Sequence, residues 1–313
     1  MKVIYLQHDE NVEISPSIAT IGFFDGVHLG HQFLIRQLIA QAQKNNLASM
    51  VITFDQHPRQ VLQSDYQPQM LSTLDEKVEK LKQTGVDYIV IVHFDRALAQ
   101  LSAYDFMQNV LECQLNVAQL VMGYDNRFGH NRAETFDDYV RYGKEIGICV
   151  SQNTALEVGE VNVSSSVVRR YIAAGEMEKA TQCLGMPYSL TGKVVSGFQN
   201  GRKLGFPTAN IDFHGLGKLL PALGVYAVKV YINTDETAYN GMLNIGIRPT
   251  FDGKEISMEV NIFNFSDNLY GQNLTIHFIS YLRSEEKFDT LDALKAKMEE
   301  DKQRSIKILS AIK

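Results

Sequence analysis

Gly22-Phe-Phe-Asp-Gly-Val-His-Leu-Gly-His31 is the stretch that decides how this chain is read. An apolar run, Ile18-Ala-Thr-Ile21, leads into it, and Leu34, Ile35, Leu38, Ile39 and Ala42 follow it with the spacing of a helix face. Strand, glycine-rich turn and helix follow in that order. His28 and His31 stand three residues apart where the helix begins, beside unpaired N–H groups and the positive end of the helix dipole. Gly26 and Gly30 permit positive φ and let a ligand approach the backbone. Two imidazoles add hydrogen bonds to a phosphate, and charge if either is protonated. Two histidines on a βα turn can also be ordinary surface residues. The strand before them, the glycines and the helix after them favour a site for a nucleotide α-phosphate.

Length and composition narrow the class. The 313 residues suffice for two domains, and 45% hydrophobic with 21% charged residues describes an ordinary globular protein. No apolar run is long enough to span a bilayer as a helix. Met1 to Glu10 lacks the apolar core and cleavage site of a signal peptide, while Cys113, Cys149 and Cys183 show no metal-ligand spacing. A reduced, cytoplasmic setting is expected. The net charge of −6 argues against a broad nucleic-acid surface, but a small phosphorylated ligand needs only a local positive site. Small-molecule substrates, no nucleic acid, no membrane, and a monomer or weak oligomer are therefore expected.

Up to about residue 185, short apolar strands alternate with helices. The strands are Ser17–Ile21, Ser49–Phe54, Tyr88–Phe94, Gln119–Gly123 and a shorter one near Ile148–Val150. The helices are Phe33–Lys44, Leu74–Thr84, Ala103–Gln114 and Phe136–Ile146, with capping signatures at Thr73/Glu76 and Ser102/Asp105. This alternation predicts an α/β, Rossmann-like domain with a parallel sheet, whose ligands bind beyond the carboxyl ends of the strands. Further turns that could face that crevice are Thr53-Phe-Asp-Gln-His57-Pro58, Gly123-Tyr-Asp125-Asn126-Arg127-Phe128-Gly129, and Ser164-Ser165-Ser166 before a helix with Arg169 and Arg170. Singly, each has a structural explanation: His57 as a turn residue, Asp125 as a loop acid, the serines as a helix cap.

Helices over Val167–Ala174 and Met177–Leu184 lead to Gly185-Met-Pro187, which marks a boundary between domains 1–185 and 186–313. Strands then follow one another at Tyr188–Ser196, Ala209–Phe213, Val225–Ile232, Tyr239–Gly246, Ser257–Phe265 and Leu274–Leu282. They predict a mostly antiparallel barrel or sandwich, closed by a helix carrying Leu291, Leu294 and Met298. Here Gly201-Arg202-Lys203-Leu204-Gly205-Phe206-Pro207-Thr208-Ala209-Asn210 joins a glycine-containing loop and two cations, which suit phosphates, to Thr208 and Asn210. Alternate residues entering a strand share a face, so these two oxygen donors could meet one Mg²⁺. The same residues serve as readily as a plain turn into a strand.

The His-x-Gly-His turn is similar to that of the nucleotidylyltransferase superfamily. The longer Gly22–His31 form resembles the bacterial bifunctional riboflavin kinase/FMN adenylyltransferase family, also called FAD synthetase. The segments at Thr53–Pro58, Gly123–Gly129 and Ser164–Arg169 match that family in order, except that Asn126 stands where many relatives carry an aromatic. In the second half the resemblance covers Gly205–Asn210, Gly224-Val-Tyr226, Asn244–Thr250, Glu259 and Leu269-Tyr-Gly271. It implies an N-terminal adenylyltransferase domain and a C-terminal riboflavin kinase-like β-barrel with a terminal helix. The substrates and products it implies are ATP, riboflavin, FMN and FAD, with Mg²⁺. In the first domain it implies ATP on Gly22, Phe23, Asp25, Gly26, Gly30, Ser164 and Ser165, and FMN on His57, Pro58, Asp125, Asn126 and Phe128. His28, His31 and Arg169 would act on the phosphates. In the second domain it implies ATP on Gly201, Arg202, Lys203, Gly205, Thr208 and Asn210, the metal on Thr208 and Asn210, and Glu259 as base. Without the resemblance, Glu259 reads as a solvent-facing residue of an alternating strand. A nucleotidyltransferase with another acceptor and a non-catalytic flavin carrier are the competing readings.

Overall fold

The computed structural model describes all residues except 8–11, 64, 66–68, 125, 155, 159–160, 198–200, 202–204, 251–252 and 313, with the side chains of 158, 248–250 and 253–255 also outside the description. The chain divides into two compact units, Met1–Ser165 and Ser166–Lys313.

The first unit is built on a six-stranded sheet in the order β1-β4-β3-β2-β5-β6. Its strands are β1 (Lys2–Leu6), β2 (Ser17–Ile21), β3 (Ala48–Phe54), β4 (Tyr88–Val92), β5 (Val117–Met122) and β6 (Cys149–Gln152), all pairing in parallel. Alternation along the strands sorts the core into two layers. Ile18, Val51 and Ile89 pack with α1 (Leu29–Asn45) and α3 (Leu74–Lys82). Ala19, Met50 and Val90 instead pack with the π-helical segment Phe106–Gln114 and Tyr139 of α6 (Phe136–Ile146). From β2 the chain steps to β3 and β4 on one side, then returns to add β5 and β6 on the other. The switch point therefore lies between β2 and β5, the crevice where such sheets take ligands.

Several boundaries differ from expectation. α1 starts at Leu29 rather than Phe33, because His28 already caps it. The edge strand β1 was not predicted: Lys2 and Tyr5 are exposed, so its apolar signal is diluted. Two short helices, α2 (Pro58–Leu62) and α4 (Arg96–Gln100), are too brief to show a period. The helix expected over Ala103–Gln114 begins as α5 (Ala103–Asp105) and continues with i→i+5, π-helical bonding over Phe106–Gln114. β7 (Glu157–Val158) and β8 (Val161–Asn162) form a small hairpin before the division.

The second unit opens with α7 (Ser165–Ala173) and α8 (Met177–Leu184), then forms a closed antiparallel barrel in the order β10-β13-β12-β11-β14-β9. The strands are β9 (Tyr188–Val195), β10 (Ala209–Asp212), β11 (Gly224–Ile232), β12 (Tyr239–Thr250), β13 (Gly253–Ile262) and β14 (Asn273–Arg283). α8 packs on β9 and β14, burying Met177, Ala180, Cys183 and Leu184, so by contact it belongs with the barrel. The expected boundary at 185/186 falls at the end of that helix, whereas the compact units divide at Ser165/Ser166. The terminal helix α9 (Leu291–Ser310) covers β11, β12 and β14. It is held by a bidentate Arg283–Asp301 pair, with Nη2 2.8 Å from Oδ2 and Nε 3.1 Å from Oδ1.

Candidate active site

β2 ends at Ile21, and the chain turns through Gly22 to Phe24 into a tight turn over Asp25–Val27. Phe24, Gly26 and Val27 take φ of 53°, 78° and 47°. For β-branched Val27 that conformation is strained and persists only where the surroundings enforce it. Asp25 supplies the constraint. Its buried carboxylate accepts from the backbone N–H groups of Leu71 and Ser72 at 3.0 and 3.1 Å, while Gly26 N donates to Ser72 Oγ at 3.0 Å. The Ser165 hydroxyl donates to the main-chain oxygen of Asp25 at 3.1 Å and brings the serine turn alongside. Gly30 does not use positive φ, contrary to expectation. It gives room instead: a Cβ there would stand 3.0 Å from Val163 O and 3.1 Å from His28 Nδ1.

His28 caps α1, its Nδ1 accepting from His31 N at 3.3 Å. The neutral ring therefore carries its proton on Nε2. The two imidazoles stack with centroids 3.6 Å apart and planes 20° apart, and Phe24 meets His31 edge-on at 5.0 Å. His31 as a whole is half-buried, yet its Nδ1 is shut off from solvent and has no partner. Burial, then His28, then Lys77 push its pKa well below the ordinary 6.5. His31 thus presents a neutral ring, and a charged form is disfavoured.

The neighbouring strand ends face the same edge. Thr53 Oγ1 donates to Phe23 O at 3.1 Å. His57 caps α2 by accepting from Arg59 N at 3.2 Å, with Pro58 in the first helical position, and its ring meets Phe23 edge-on at 4.9 Å. Asp55 pairs with His93 Nδ1 at 2.6 Å, which raises the pKa of that histidine. After β5, the Asn126 amide donates to Ile21 O, so this residue joins the switch-point strands. The Tyr139 hydroxyl donates to Phe128 O at 2.7 Å and accepts from Phe128 N at 2.9 Å, fixing that loop. Asp125 lies outside the described residues. Ser164 and Ser165 stand at the start of α7, and Arg169 lies within α7 beyond the division.

In the barrel, Thr208 Oγ1 donates to Glu259 Oε2 at 3.0 Å. Asn210 faces Glu259 across β10–β13, and Asn244 faces it across β12–β13. Met258 and Val260 are buried on either side, so Glu259 points to the opposite face, where Thr208 meets it. Gly201 O accepts from Phe206 N at 2.9 Å, and a Cβ on Gly201 would stand 2.3 Å from Phe206 O, so only glycine allows this closure. Gly205 takes φ of 86°. Arg202 and Lys203 lie outside the described residues.

Sequence reasoning missed three supporting residues. Asn261, two positions beyond Glu259, donates to Pro207 O at 2.6 Å and holds the Pro207-Thr208 turn. Glu285 accepts from Ile247 N at 3.3 Å and braces β12. Lys77, in α3, is 3% exposed and donates to Phe23 O, Thr53 Oγ1 and Phe54 O at 3.2, 3.1 and 2.8 Å. In the sequence each is one polar residue among many; the alternation on β13 gave the only usable signal, since it puts Asn261 on the face of Glu259.

A family model described as FAD synthetase matches residues 10–167, and one described as riboflavin kinase matches residues 184–309. The chain is 36% identical to a bifunctional riboflavin kinase/FMN adenylyltransferase of Haemophilus influenzae, over 96% of this chain and 97% of that protein. It is 39% identical to the protein of that description from Listeria monocytogenes, over 97% of this chain and 96% of the relative. A crystal structure of a macrolide-efflux protein from Streptococcus pneumoniae is similar with a TM-score of 0.87 and 32% identity, covering 97% of this chain and 98% of that one. Among the described residues of this chain, no helix is long and apolar enough to cross a membrane. With both family models matched in order and full-length relatives similar throughout, the chain belongs to the bifunctional riboflavin kinase/FMN adenylyltransferase family.

Proposed function

We infer that this chain makes FAD in two steps: ATP phosphorylates riboflavin to FMN and ADP, and a second ATP adenylylates FMN to FAD and pyrophosphate. The observation that carries the reading is the placement of the two family matches on the two structural units, each with its own cluster of polar groups. The kinase is assigned to residues 186–313 and the adenylyltransferase to residues 1–185.

In the kinase step, the ribityl hydroxyl oxygen attacks the γ-phosphorus of ATP and ADP leaves. Glu259 takes the hydroxyl proton, and its bond from Thr208 holds the carboxylate in place. Thr208 and Asn210 are hard oxygen donors, which fits Mg²⁺. While donating to Glu259, the Thr208 hydroxyl keeps its oxygen lone pairs for a cation. When bound, Mg²⁺ would offset phosphate charge and orient the transferred group. The Gly201–Gly205 loop, including Arg202 and Lys203, would hold the remaining phosphates.

In the adenylyl step, an FMN phosphate oxygen attacks the α-phosphorus of ATP, and the bond to the pyrophosphate oxygen breaks. No protein nucleophile is needed. His28, with its proton on Nε2, His31 and the first amides of α1 donate to the oxygens where charge builds, and being fixed beforehand they need no reorganisation. Gly22, Phe23, Gly26 and Gly30 bring the backbone close to ATP, and Asp25 shapes that turn. Ser164, Ser165 and Arg169 hold the departing phosphates. His57, Pro58, Asp125, Asn126 and Phe128 form the FMN side, with Asn126 contributing through the strand end it ties. The enzyme acts on small molecules in the cytoplasm as a monomer or weak oligomer; the free, exposed thiols of Cys113 and Cys149 suit a reducing compartment.

Incubation with riboflavin, ATP and Mg²⁺, followed by separation of the flavins, tests the reading. FMN and FAD are the expected products. Unchanged flavin would instead make the chain a carrier, and ATP–pyrophosphate exchange indifferent to flavin would mean another acceptor.

A further inference from the structure

Two turns singled out in the sequence, Gly22-Phe23 after β2 and Thr53-Phe54 at the end of β3, are joined by a residue from neither. The Lys77 ammonium donates to Phe23 O at 3.2 Å, to Thr53 Oγ1 at 3.1 Å and to Phe54 O at 2.8 Å. It also lies 4.3 Å from the centroid of the Phe23 ring, which meets the edge of His57 at 4.9 Å. Its three N–H groups are thus matched by three oxygens, two of them main-chain carbonyls at strand ends. A cation so fully removed from water is costly, and a methionine would fill similar space without that cost. What lysine adds is a tie across two strands at the sheet's carboxyl edge.

We propose that Lys77 is a positioning residue for adenylyl transfer, fixing the turn that holds the ATP α-phosphate against the strand end that carries the FMN side. The proposal rests on the adenylyltransferase reading of this unit. Lys77 acts through Phe23 on one side and through Thr53, Phe54 and the Phe23–His57 contact on the other. Loss of the tie lets the two reactants drift apart, and a displacement of about 1 Å lowers the rate on the order of a hundredfold.

The protonation state supports the same picture. Burial lowers the Lys77 pKa from 10.5 to about 8, while Asp25 from the tight turn and Asp55 from the end of β3 pull it upward. From α1, His31 also feels this ammonium and is pushed down by Lys77 in turn. Neutral Lys77 keeps only two N–H groups for its three oxygens, so the tie weakens as pH rises past about 8.

The test uses the full-length enzyme and two readouts. In single-turnover FAD formation from FMN and Mg-ATP, Lys77→Met is expected to be slower on the order of a hundredfold at saturating substrates, with both substrate affinities changed by less than about threefold. FMN formation from riboflavin should match the wild type. Folded Lys77→Met protein with a rate within about threefold of wild type would overturn the proposal. If that variant does not fold, the wild-type pH profile decides. Its FAD-forming rate should fall as the pH passes about 8 and level off once Lys77 is neutral, while the kinase rate holds. Because the folded pKa lies below the unfolded one, stability contributed by this group rises between those values, so a falling rate without a falling melting temperature separates positioning from unfolding. A flat rate to about pH 9.5 would overturn the proposal. Wild-type enzyme that forms no FAD at all would reject the adenylyltransferase reading itself.

Discussion

The Nδ1 of His28 accepts the backbone N–H of His31 at 3.3 Å, and that single bond both caps α1 and sets which ring nitrogen of His28 carries a proton. The second imidazole stacks on the first at 3.6 Å. The pair is therefore a preset donor array. Replacing His31 by Ala removes one donor and should slow FAD formation from FMN by roughly a hundred- to a thousandfold. Kinase turnover should stay near wild type, so FMN accumulates when riboflavin is supplied. Flavin separation over a time course checks this.

His31 also carries a pH signature. Its folded pKa lies well below 6.5, chiefly from burial, so the folded state binds fewer protons than the unfolded chain below that value. The sign follows: this residue's contribution to stability is complete above about pH 6.5 and is lost as the pH falls below it. Nitrogen-15 spectra of the imidazoles should show His31 still neutral at about pH 6, where an ordinary histidine is mostly charged. A His31 titration centred near the ordinary value would contradict the burial argument.

Asp25 tests the turn rather than the chemistry. Its carboxylate accepts from Leu71 and Ser72 within a segment where Phe24 and Val27 are held at positive φ. Hydrogen bonds to a charged group are worth roughly 1.5–3 kcal/mol. Asp25→Ala should therefore lower the melting temperature of the N-terminal unit and slow FAD formation, leaving the kinase rate intact. Calorimetry with parallel assays of both steps gives the comparison.

Glu259 has Thr208 on one side and the register of Asn210 and Asn244 on the other. Glutamine keeps its size but cannot take the ribityl proton. Glu259→Gln should reduce FMN formation by roughly a hundred- to ten-thousandfold, with riboflavin affinity little changed and FAD formation from supplied FMN retained. A loss under about fivefold would return this residue to the role of a surface carboxylate.

The kinase half should work alone, and its starting point matters. A fragment from Met186 keeps the barrel but deletes α8, which buries Met177 and Leu184. Each large apolar side chain contributes roughly 1.5–3 kcal/mol when fully buried. A fragment from Ser166 should therefore unfold at higher urea than one from Met186, and both should make FMN but no FAD. Equal midpoints would show that α8 adds nothing to the barrel.

Much of this protein is legible in its sequence because the signals are local. Ser17–Ile21 is an apolar run that meets a glycine turn; Thr73 and Glu76 close their capping box within one helical turn. His28 and His31 meet because three residues at a helix start set them side by side. The alternation that made Glu259 look solvent-facing was also right about its neighbours: Met258 and Val260 do point inward. What it could not show was that β10 brings Thr208 to the other face.

By itself the sequence determined the βα turn, the order of strands and helices, and the residue types available for phosphates and oxygen ligands. These follow from period, capping and backbone preference, which act over a few residues. The tertiary structure decided which of them cooperate. Asp25 reaches 46 and 47 positions along the chain to close its turn, Lys77 reaches back 54 and 24 to tie two strand ends, and Glu259 meets Thr208 across 51. Such contacts depend on which strands become neighbours, and that is set by packing of the whole sheet or barrel rather than by any local pattern.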